Sequence, residues 1–200
     1  MKLIATVVNI GSIEMDPGVN LPTGTRLFLD EPFVPLGDPL GGGFFAGEMI
    51  LDGIRYALIV APKAAGESSS LRYKREDYVI ADGAVSDNDG LANSELINDP
   101  NHPAAQFCRP LKIGGFDDWY LPSRDELAML WRNLGPCRKD TPETFREGGE
   151  EAFDQDWYWS STQSASYSYC AWYLNFFDGT QTNAHKFSNF GVRAVRRLKI

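Results

Sequence analysis

Hydrophobic residues cluster in the first half of the chain into two runs rich in β-forming residues, 47–51 and 54–60, on either side of Asp52-Gly53. An Asp-Gly pair between two such runs favours a type I′ turn, because both central residues of that turn need positive φ. The pattern therefore predicts a β-hairpin. The polar residues that follow, 62–76, are expected to form a loop.

A helical period follows further along the chain. Ser123, with Glu126 three residues later, has the pattern of a capping box, and Gly135 is typical of a helix end. Asp125 and Glu126 lie in the first turn, where the helix dipole favours negative charge, so we interpret them as structural and not catalytic. Four apolar residues recur at the spacing of one helix face: Leu127, Leu130, Trp131 and Leu134.

Short elements separated by long loops indicate the fold class. Residues 91–111 are expected to hold one or two short helices interrupted by prolines, whereas residues 180–190 show no regular period and are expected to be an irregular loop. The sequence predicts an α+β fold with a mainly antiparallel sheet, two or more helices and long loops. Three further strands are predicted at 157–162, 171–177 and 192–198, with a turn at Asp178-Gly179.

Alternation along these strands also predicts which side chains face the core. In the second strand it assigns Trp172 and Phe176 to the core, and Tyr173 and Phe177 to the surface. The last strand, 192–198, is basic, and its arginine stems are expected to pack over aromatic rings.

Residues 1–43 differ from the rest of the chain because Pro and Gly are dense between residues 21 and 43. Such a segment cannot hold a long regular element, and Gly41-Gly42-Gly43 is interpreted as a hinge. We expect an N-terminal arm over residues 1–43, used for attachment or oligomerisation, and a ligand-binding domain over residues 44–200.

Composition excludes several classes of function. A net charge of −8 disfavours nucleic-acid binding, which needs clustered Lys and Arg. No apolar run is long enough for membrane insertion. The three cysteines show no CxxC spacing, which favours free thiols in a protein made in the cytoplasm and predicts no metal site. Residues 87–90 read as an Asx-type turn, with calcium as the less favoured alternative.

The segment 157–190 carries the candidate chemistry. It is rich in Tyr, Trp, Ser, Thr and Asn, and its only formal charges are Asp178 and Lys186. Recognition surfaces use these residue types, whereas catalysis needs titratable groups that converge. His102 lies in a turn and is expected to be solvent-exposed, and no catalytic or phosphate-binding motif is present. We therefore expect a non-enzymatic protein without a cofactor.

Four ordered motifs resemble those of a known domain: GGFDDWYLPSRDEL at 114–127, WYWSSTQ at 157–163, AWYLNFFDG at 171–179 and VRAVRRL at 192–198. They are similar to the C-type-lectin-like domain of bacterial and phage proteins, especially the variable proteins of diversity-generating retroelements at phage tail tips. The resemblance covers roughly residue 44 to the C-terminus and implies a C-type-lectin-like fold for this domain.

The resemblance also implies a variable region at residues 164–191. In such proteins an error-prone reverse transcriptase randomises adenines, so that AAC codons become NNC, which cannot encode Trp, Gln, Lys, Glu or Met. The non-permitted types here, Gln163, Trp172, Gln181 and Lys186, would then be fixed scaffold positions. The implied ligand-binding residues are Ser166, Ser168, Tyr169, Cys170, Tyr173, Leu174, Asn175, Phe177, Thr180, Thr182, Asn183, Ala184, His185, Phe187, Ser188 and Phe190.

The function implied is ligand or receptor binding, on a virion tail or a cell surface. The partner would be a protein or glycan receptor on a cell, and the N-terminal arm would make a homo-oligomer or contact a virion partner. The aromatic anchors would be Tyr167, Tyr169, Tyr173, Phe177, Phe187 and Phe190.

Three alternatives remain open from the sequence. The same surface could belong to an undiversified structural component of a virion or surface appendage. A calcium-dependent lectin would need a carboxylate-rich loop, whereas the relevant segment offers only Asp178. The fold also hosts an oxidase that forms formylglycine with a pair of neighbouring cysteines, and Cys108, Cys137 and Cys170 do not match that motif.

Overall fold

A computed structural model of the protein describes residues 34–75 and 82–200. These residues belong to a compact unit that extends from Val34 to Ile200. Two sheets, four short helices and one 3-10 helix make up the unit, and all but one of the strand pairs are antiparallel. The predicted α+β class with a mainly antiparallel sheet is confirmed. In these described ranges no helix is both long and apolar enough to cross a membrane.

The first sheet contains the predicted hairpin. Asp52 and Gly53 have φ of 51° and 76°, as a type I′ turn requires, so this prediction is confirmed. The strands of this sheet are β1 (Pro39–Leu40), β2 (Gly43–Leu51), β3 (Ile54–Val60) and β9 (Val195–Lys199). The strand order is β1-β2-β3-β9, and every neighbouring pair is antiparallel.

The N-terminal boundary of the described unit differs from the one expected. Gly41 and Gly42, with φ of 53° and 83°, form the tight turn between β1 and β2, so the prediction of a hinge there was wrong. The expected boundary at residues 43 and 44 falls within this hairpin. Residues 1–33 of the predicted arm lie outside the described residues, and its role stays a prediction.

The second sheet contains the predicted C-terminal strands. The strands are β4 (Glu67–Arg72), β5 (Trp157–Gln163), β6 (Cys170–Asn175), β7 (Gln181–His185) and β8 (Asn189–Arg193). The strand order is β4-β8-β5-β6-β7, and only β5 and β8 run parallel, at a single pair, Tyr158 and Gly191. Two of these strands were not predicted: β4, in the segment expected to be a loop, and β7, in the segment without a period.

The predicted last strand is divided between the two sheets. It breaks at Ala194, where the chain leaves β8 and enters β9. The Ala194 amide donates to Gly66 at 2.9 Å, and its carbonyl accepts from Ala61 at 2.9 Å. Because these partners belong to the connection between β3 and β4, Ala194 marks the point at which the two sheets meet.

The helices agree with the sequence pattern where that pattern was strong. Ser123 caps α4 (Arg124–Leu134). Its Oγ accepts a hydrogen bond from the Glu126 amide at 3.3 Å, and the Glu126 carboxylate accepts one from the Ser123 amide at 2.7 Å. The predicted capping box is therefore confirmed. Asp89 caps α2 by accepting from Ala92 at 2.9 Å. The helices are α1 (Lys63–Gly66), α2 (Gly90–Leu96), α3 (Pro103–Cys108), α4 (Arg124–Leu134) and a 3-10 helix (Glu143–Phe145).

Strand β5 contributes to two apolar clusters, one on each face of the second sheet. Trp159 is buried in a cluster with Trp119 and Val192. Its neighbour Tyr158 is buried in the other, with Leu127 and Leu130 of α4 among its members. Successive side chains of a strand point to opposite faces, so the sheet is covered on both sides.

The arginines of the basic tail bind carboxylates and lie over aromatic rings, which confirms the sequence expectation. Arg196 makes a bidentate pair with Asp118, at 2.6 and 2.9 Å, and lies 3.9 Å from the Phe116 ring centroid. Arg197 binds Asp89 at 2.8 Å.

Arg193, in contrast, is fully buried. Its guanidinium binds Glu151 at 2.6 Å and Glu67 at 3.0 Å, and it donates to the carbonyl of Ala61 at 2.8 Å. The Phe153 ring centroid lies 5.0 Å from it. One side chain therefore joins β8, the end of β3, the start of β4 and the loop before β5.

We predict that Arg193→Ala lowers the free energy of unfolding by about 3–5 kcal/mol, because buried Glu151 loses its counter-ion and buried Glu67 loses one of its cationic partners. The matched control is Arg55→Ala, which breaks the exposed pair with Glu48 and should cost less than about 1 kcal/mol. Urea unfolding monitored by tryptophan fluorescence measures both. Equal losses in the two variants would show that the buried network does not stabilise the fold.

Candidate ligand-binding surface

The predicted ligand-binding residues lie on β6, β7 and the loops around them, at one edge of the second sheet, except Phe190, which lies on β8. Three of them are buried: Cys170, Leu174 and Phe190, which are 6%, 1% and 8% exposed. These three side chains do not contribute accessible surface. The remaining members are exposed or partly exposed: Ser166, Ser168, Tyr169, Tyr173, Asn175, Phe177, Thr180, Thr182, Asn183, Ala184, His185, Phe187 and Ser188.

Four of the exposed rings in this region form a continuous array, which we call the aromatic patch: Tyr167, Tyr169, His185 and Phe187. Tyr167 and Tyr169 have ring centroids 6.0 Å apart, and Tyr169 stacks on His185 at 4.8 Å. His185 in turn lies 4.6 Å from Phe187. Tyr167, Tyr169 and Phe187 are 51%, 48% and 38% exposed. A contiguous set of exposed rings is typical of an interaction surface, whereas single exposed rings are common on any protein.

The other aromatic assignments are partly right. Phe176 is buried and Phe177 is 60% exposed, as predicted. Trp172 and Tyr173, however, are both half-buried. Tyr173 packs on Phe190, with centroids 4.7 Å apart, so the assignment of Tyr173 to the surface and Trp172 to the core was wrong. Both faces of this sheet are covered, and alternation alone therefore cannot identify an exposed face.

The residue types that an NNC codon cannot encode are held by contacts outside the variable region. Lys186 is 5% exposed, and its ammonium donates to Asp82 at 2.5 Å and to the Gln163 side chain at 2.7 Å. The same Gln163 oxygen accepts from the Asp82 amide at 2.7 Å. Lys74 also forms an ion pair with Asp82. This Asp82 cluster attaches the turn between β7 and β8 to the start of the segment 82–89.

The other two non-permitted residues contact the first residue of α4. The Arg124 guanidinium lies 4.0 Å from the Trp172 ring centroid and donates to the Gln181 side chain at 3.0 Å. Gln181 returns a hydrogen bond to the Arg124 carbonyl at 2.9 Å. A Cβ at Gly179, where φ is 80°, would lie 2.4 Å from Trp131. The β6–β7 hairpin is therefore seated closely on α4.

The Asp82 cluster contains a histidine that was expected to be exposed. His102 is 3% exposed, with Nδ1 2.9 Å from Asp99 and Nε2 3.4 Å from Asp82, so that prediction was wrong. Its ring also packs edge-on against Tyr73, at 6.0 Å. The sequence placed His102 in a Pro-containing turn, but Asp82 and Tyr73 come from distant parts of the chain and cover it.

Charge in the cluster determines the protonation of Asp82. Burial raises the pKa of this carboxyl group, but contacts with His102, Lys186 and Lys74 lower it more strongly, and its pKa lies well below the usual range. Burial lowers the pKa of Lys186, and the hydrogen bond to Asp82 opposes that shift. The cluster therefore holds an ionised carboxylate beneath the aromatic patch.

Carboxyl groups outside the Asp82 cluster also have shifted pKa values. Asp178 is exposed in a turn, where hydrogen bonds from Thr180 lower its pKa. Burial raises the pKa of Glu126 to about 7, but Glu126 is buried at the start of α4, and its two oxygens accept hydrogen bonds from the Ser123 amide and the Tyr120 hydroxyl, at 2.7 Å each. Within residues 34–75 and 82–200, no group of three or more His, Cys, Asp and Glu side chains is arranged to hold a metal ion. The arrangement is suited to recognition by contact.

Asp82 and Arg124 are the important residues that sequence reasoning missed. No pattern near Asp82 in the sequence indicates its role, because its partner Lys186 lies 104 residues further along the chain. Arg124 belongs to a recognised motif, yet its role depends on Trp172 and Gln181, 57 residues away in the case of Gln181.

We predict that Asp82→Asn destabilises the protein by about 3 kcal/mol at pH 7, because the buried ammonium of Lys186 loses its carboxylate partner. The folded-state pKa of Asp82 is below its unfolded value, so this stabilisation is present above about pH 4 and is lost as the pH falls below it. The difference in free energy of unfolding between the variant and the natural protein, measured by urea unfolding, should therefore decrease from pH 5 to pH 3.

Asp140→Asn is the control for that experiment, because Asp140 is exposed and its substitution changes the net charge equally. It should alter stability by less than about 0.5 kcal/mol at each pH. If the difference in free energy of unfolding between Asp82→Asn and the natural protein stays constant down to pH 3, the role given to the Asp82 carboxylate is wrong.

Comparison with known proteins identifies the family. The sequence profile of the Lcl C-terminal domain matches residues 69–196, which include most of the second sheet, α4 and the predicted variable region. A search of curated proteins found no significant match. The match spans more than half of the chain and indicates a surface or binding-type protein. The chain belongs to the Lcl C-terminal domain family.

Proposed function

We propose that this protein binds a receptor through the aromatic patch and the polar side chains around it, on a C-type-lectin-like scaffold whose surface is diversified. The receptor is a protein or glycan on a cell, and the protein acts in host attachment by a phage or in display at a cell surface. The observation that carries the proposal is the continuous array of exposed rings from Tyr167 to Phe187.

The chemistry of this array supports recognition. Aromatic rings supply large, rigid contact areas at low entropic cost, and the neighbouring Ser and Asn side chains supply adaptable hydrogen bonds. His185 ends β7, and Tyr167, Tyr169 and Phe187 lie in the short connections next to it, where their rings contact one another and His185. These contacts favour one arrangement of the rings before a ligand binds. A preorganised surface loses less conformational entropy on binding.

The division between fixed and permitted residue types supports diversification. Gln163, Trp172, Gln181 and Lys186 all bind groups outside residues 164–191. The exposed rings Tyr169, Phe177 and Phe187, in contrast, are of types that NNC codons encode. Replacement of an exposed side chain usually changes stability little, so such positions tolerate substitution.

Attachment and oligomerisation belong to the N-terminal arm in this proposal. Copies assembled through residues 1–33 would present several aromatic patches to one cell. Multiple copies raise the overall affinity even when each patch binds weakly. The proposal places the protein on a virion tail or a cell surface and gives it no enzymatic activity and no cofactor.

The first prediction concerns binding. Full-length protein labelled with a fluorophore should bind at least one cell type in a panel of bacterial cells, and Tyr169→Ala combined with Phe187→Ala should weaken that binding about tenfold or more. The melting temperature should not change, because both rings are exposed. Binding should survive chelation of calcium by EDTA.

Two matched variants make that experiment decisive. Ile50→Ala removes a side chain that is 69% exposed on the first sheet and should leave binding unchanged. Lys186 precedes Phe187 in the chain, but Lys186→Ala should lower the melting temperature, because it removes the buried hydrogen bonds to Asp82 and Gln163. Unchanged binding by the double variant would exclude the aromatic patch, and loss of binding in EDTA would favour a calcium-dependent lectin.

The second prediction concerns the gene. The DNA within several kilobases should contain a near-copy of the 3′ end that differs at adenines, beside a reverse transcriptase gene. Mismatches should fall on codons for exposed residues such as Tyr169, His185 and Phe187, and never on those for Trp172 or Lys186. If no such copy exists, the surface is a fixed one, as in an undiversified structural component.

A further inference from the structure

Of the four edge strands in the described sheets, β7 is the one without charge or proline. Edge strands usually carry such residues, which prevent another strand from pairing with them. β1 is two residues long and contains Pro39, β9 carries Arg196, Arg197 and Lys199, and β4 carries Glu67 and Arg72. β7 reads Gln-Thr-Asn-Ala-His.

The hydrogen bonds of the β6–β7 pair show which backbone groups of β7 face outward. The Asn175 amide donates to the Thr180 carbonyl at 2.9 Å, and the Lys186 amide donates to the Tyr169 carbonyl at 3.0 Å. In an antiparallel pair these bonds alternate, so the residues between them that face β6 are Thr182 and Ala184.

The alternate residues, Gln181, Asn183 and His185, direct their backbone groups away from β6. The His185 carbonyl accepts from Ser188 within the next turn, at 2.9 Å. The amides of all three residues and the carbonyls of Gln181 and Asn183 form a row with a two-residue repeat. Within the described ranges no other strand pairs with β7.

We propose that β7 binds an extended polypeptide segment of the ligand, which adds to the second sheet as a further strand. This inference rests on the proposed function and specifies the chemical class of the receptor as protein. A row of amides and carbonyls at a two-residue repeat is complementary to the backbone of a β-strand, which presents the same groups at the same spacing. A glycan has no such repeat of donors and acceptors.

The charge and surroundings of β7 specify the segment further. Because β7 carries no charged side chain, it offers no counter-ion, and the complementary segment is uncharged. The aromatic patch lies at the C-terminal end of β7, through His185, and can receive apolar side chains that follow the added strand. Specificity then comes from side chains and affinity partly from the backbone.

Strand addition also agrees with a diversified surface. The backbone groups of Gln181, Asn183 and His185 remain available for hydrogen bonds with any side chain except proline at residues 182–184. A variable side chain can then change which segment binds without removing the hydrogen bonds that hold it.

The test uses the full-length chain and peptides. Random 12-residue peptides are selected by display on the immobilised protein, and the Kd of a fluorescent synthetic peptide is measured by anisotropy. Each peptide amide is then N-methylated in turn. We expect every second methylation within the bound segment to weaken binding about tenfold, because it removes one hydrogen bond, and the intervening ones to have little effect.

Variants of Asn183 provide the complementary measurement on the protein. Asn183→Pro removes an outward amide together with the side chain, whereas Asn183→Ala removes only the side chain, so the proline variant should bind about tenfold or more weakly than the alanine variant. Melting temperatures identify a variant that fails to fold. The methylation scan does not depend on either variant and keeps the test valid in that case.

Several results would overturn strand addition. They are the absence of alternation in the methylation scan, undiminished binding by a folded Asn183→Pro variant, and the recovery of no binding peptide. A dimer in sedimentation that Asn183→Pro dissociates would assign the edge to a second copy of the chain. If these tests fail while the Tyr169 and Phe187 variant still loses cell binding, the proposed function stands; if that variant binds normally, the function itself is wrong.

Discussion

The buried guanidinium of Arg193 is the interaction on which the rest of the structure depends. It lies where β8 passes into β9 and binds Glu67, Glu151 and the Ala61 carbonyl, so it joins both sheets to the loop before β5. A buried charge is stable only when its donors and the opposite charges are all satisfied. The network therefore stabilises the observed arrangement of these four segments.

The candidate binding surface is also held in place by polar side-chain contacts. Asp82 holds the turn after β7 through Lys186, and Arg124 holds the start of β7 through Gln181 and the middle of β6 through Trp172. Polar anchors of this kind depend on geometry and cannot be exchanged freely. The rings of the aromatic patch lie outside the two apolar clusters, so we expect their replacement to affect folding little. A rigid base with a replaceable exterior is the physical requirement for a surface whose sequence varies.

Sequence reasoning succeeded where a few adjacent residues decide the outcome. The type I′ turn at Asp52-Gly53 and the capping box at Ser123 were both predicted, because each is determined by backbone preferences and bonds within three residues. It failed at β7, whose residues are polar and show no alternation, and which pairs only because β6 lies beside it. It also failed at His102, which looked exposed until Asp82 and Tyr73 covered it.

The sequence by itself determined the α+β class, the hairpin and the capped helix, because these depend on local spacing and residue type. Tertiary structure alone decided that Cys170, Leu174 and Phe190 are buried and that β7 is an uncharged edge. It also decided that Arg193 meets Glu151, 42 residues away, and that Lys186 meets Asp82, 104 residues away. Contacts over such separations form only when the sheets assemble, and no local pattern specifies them.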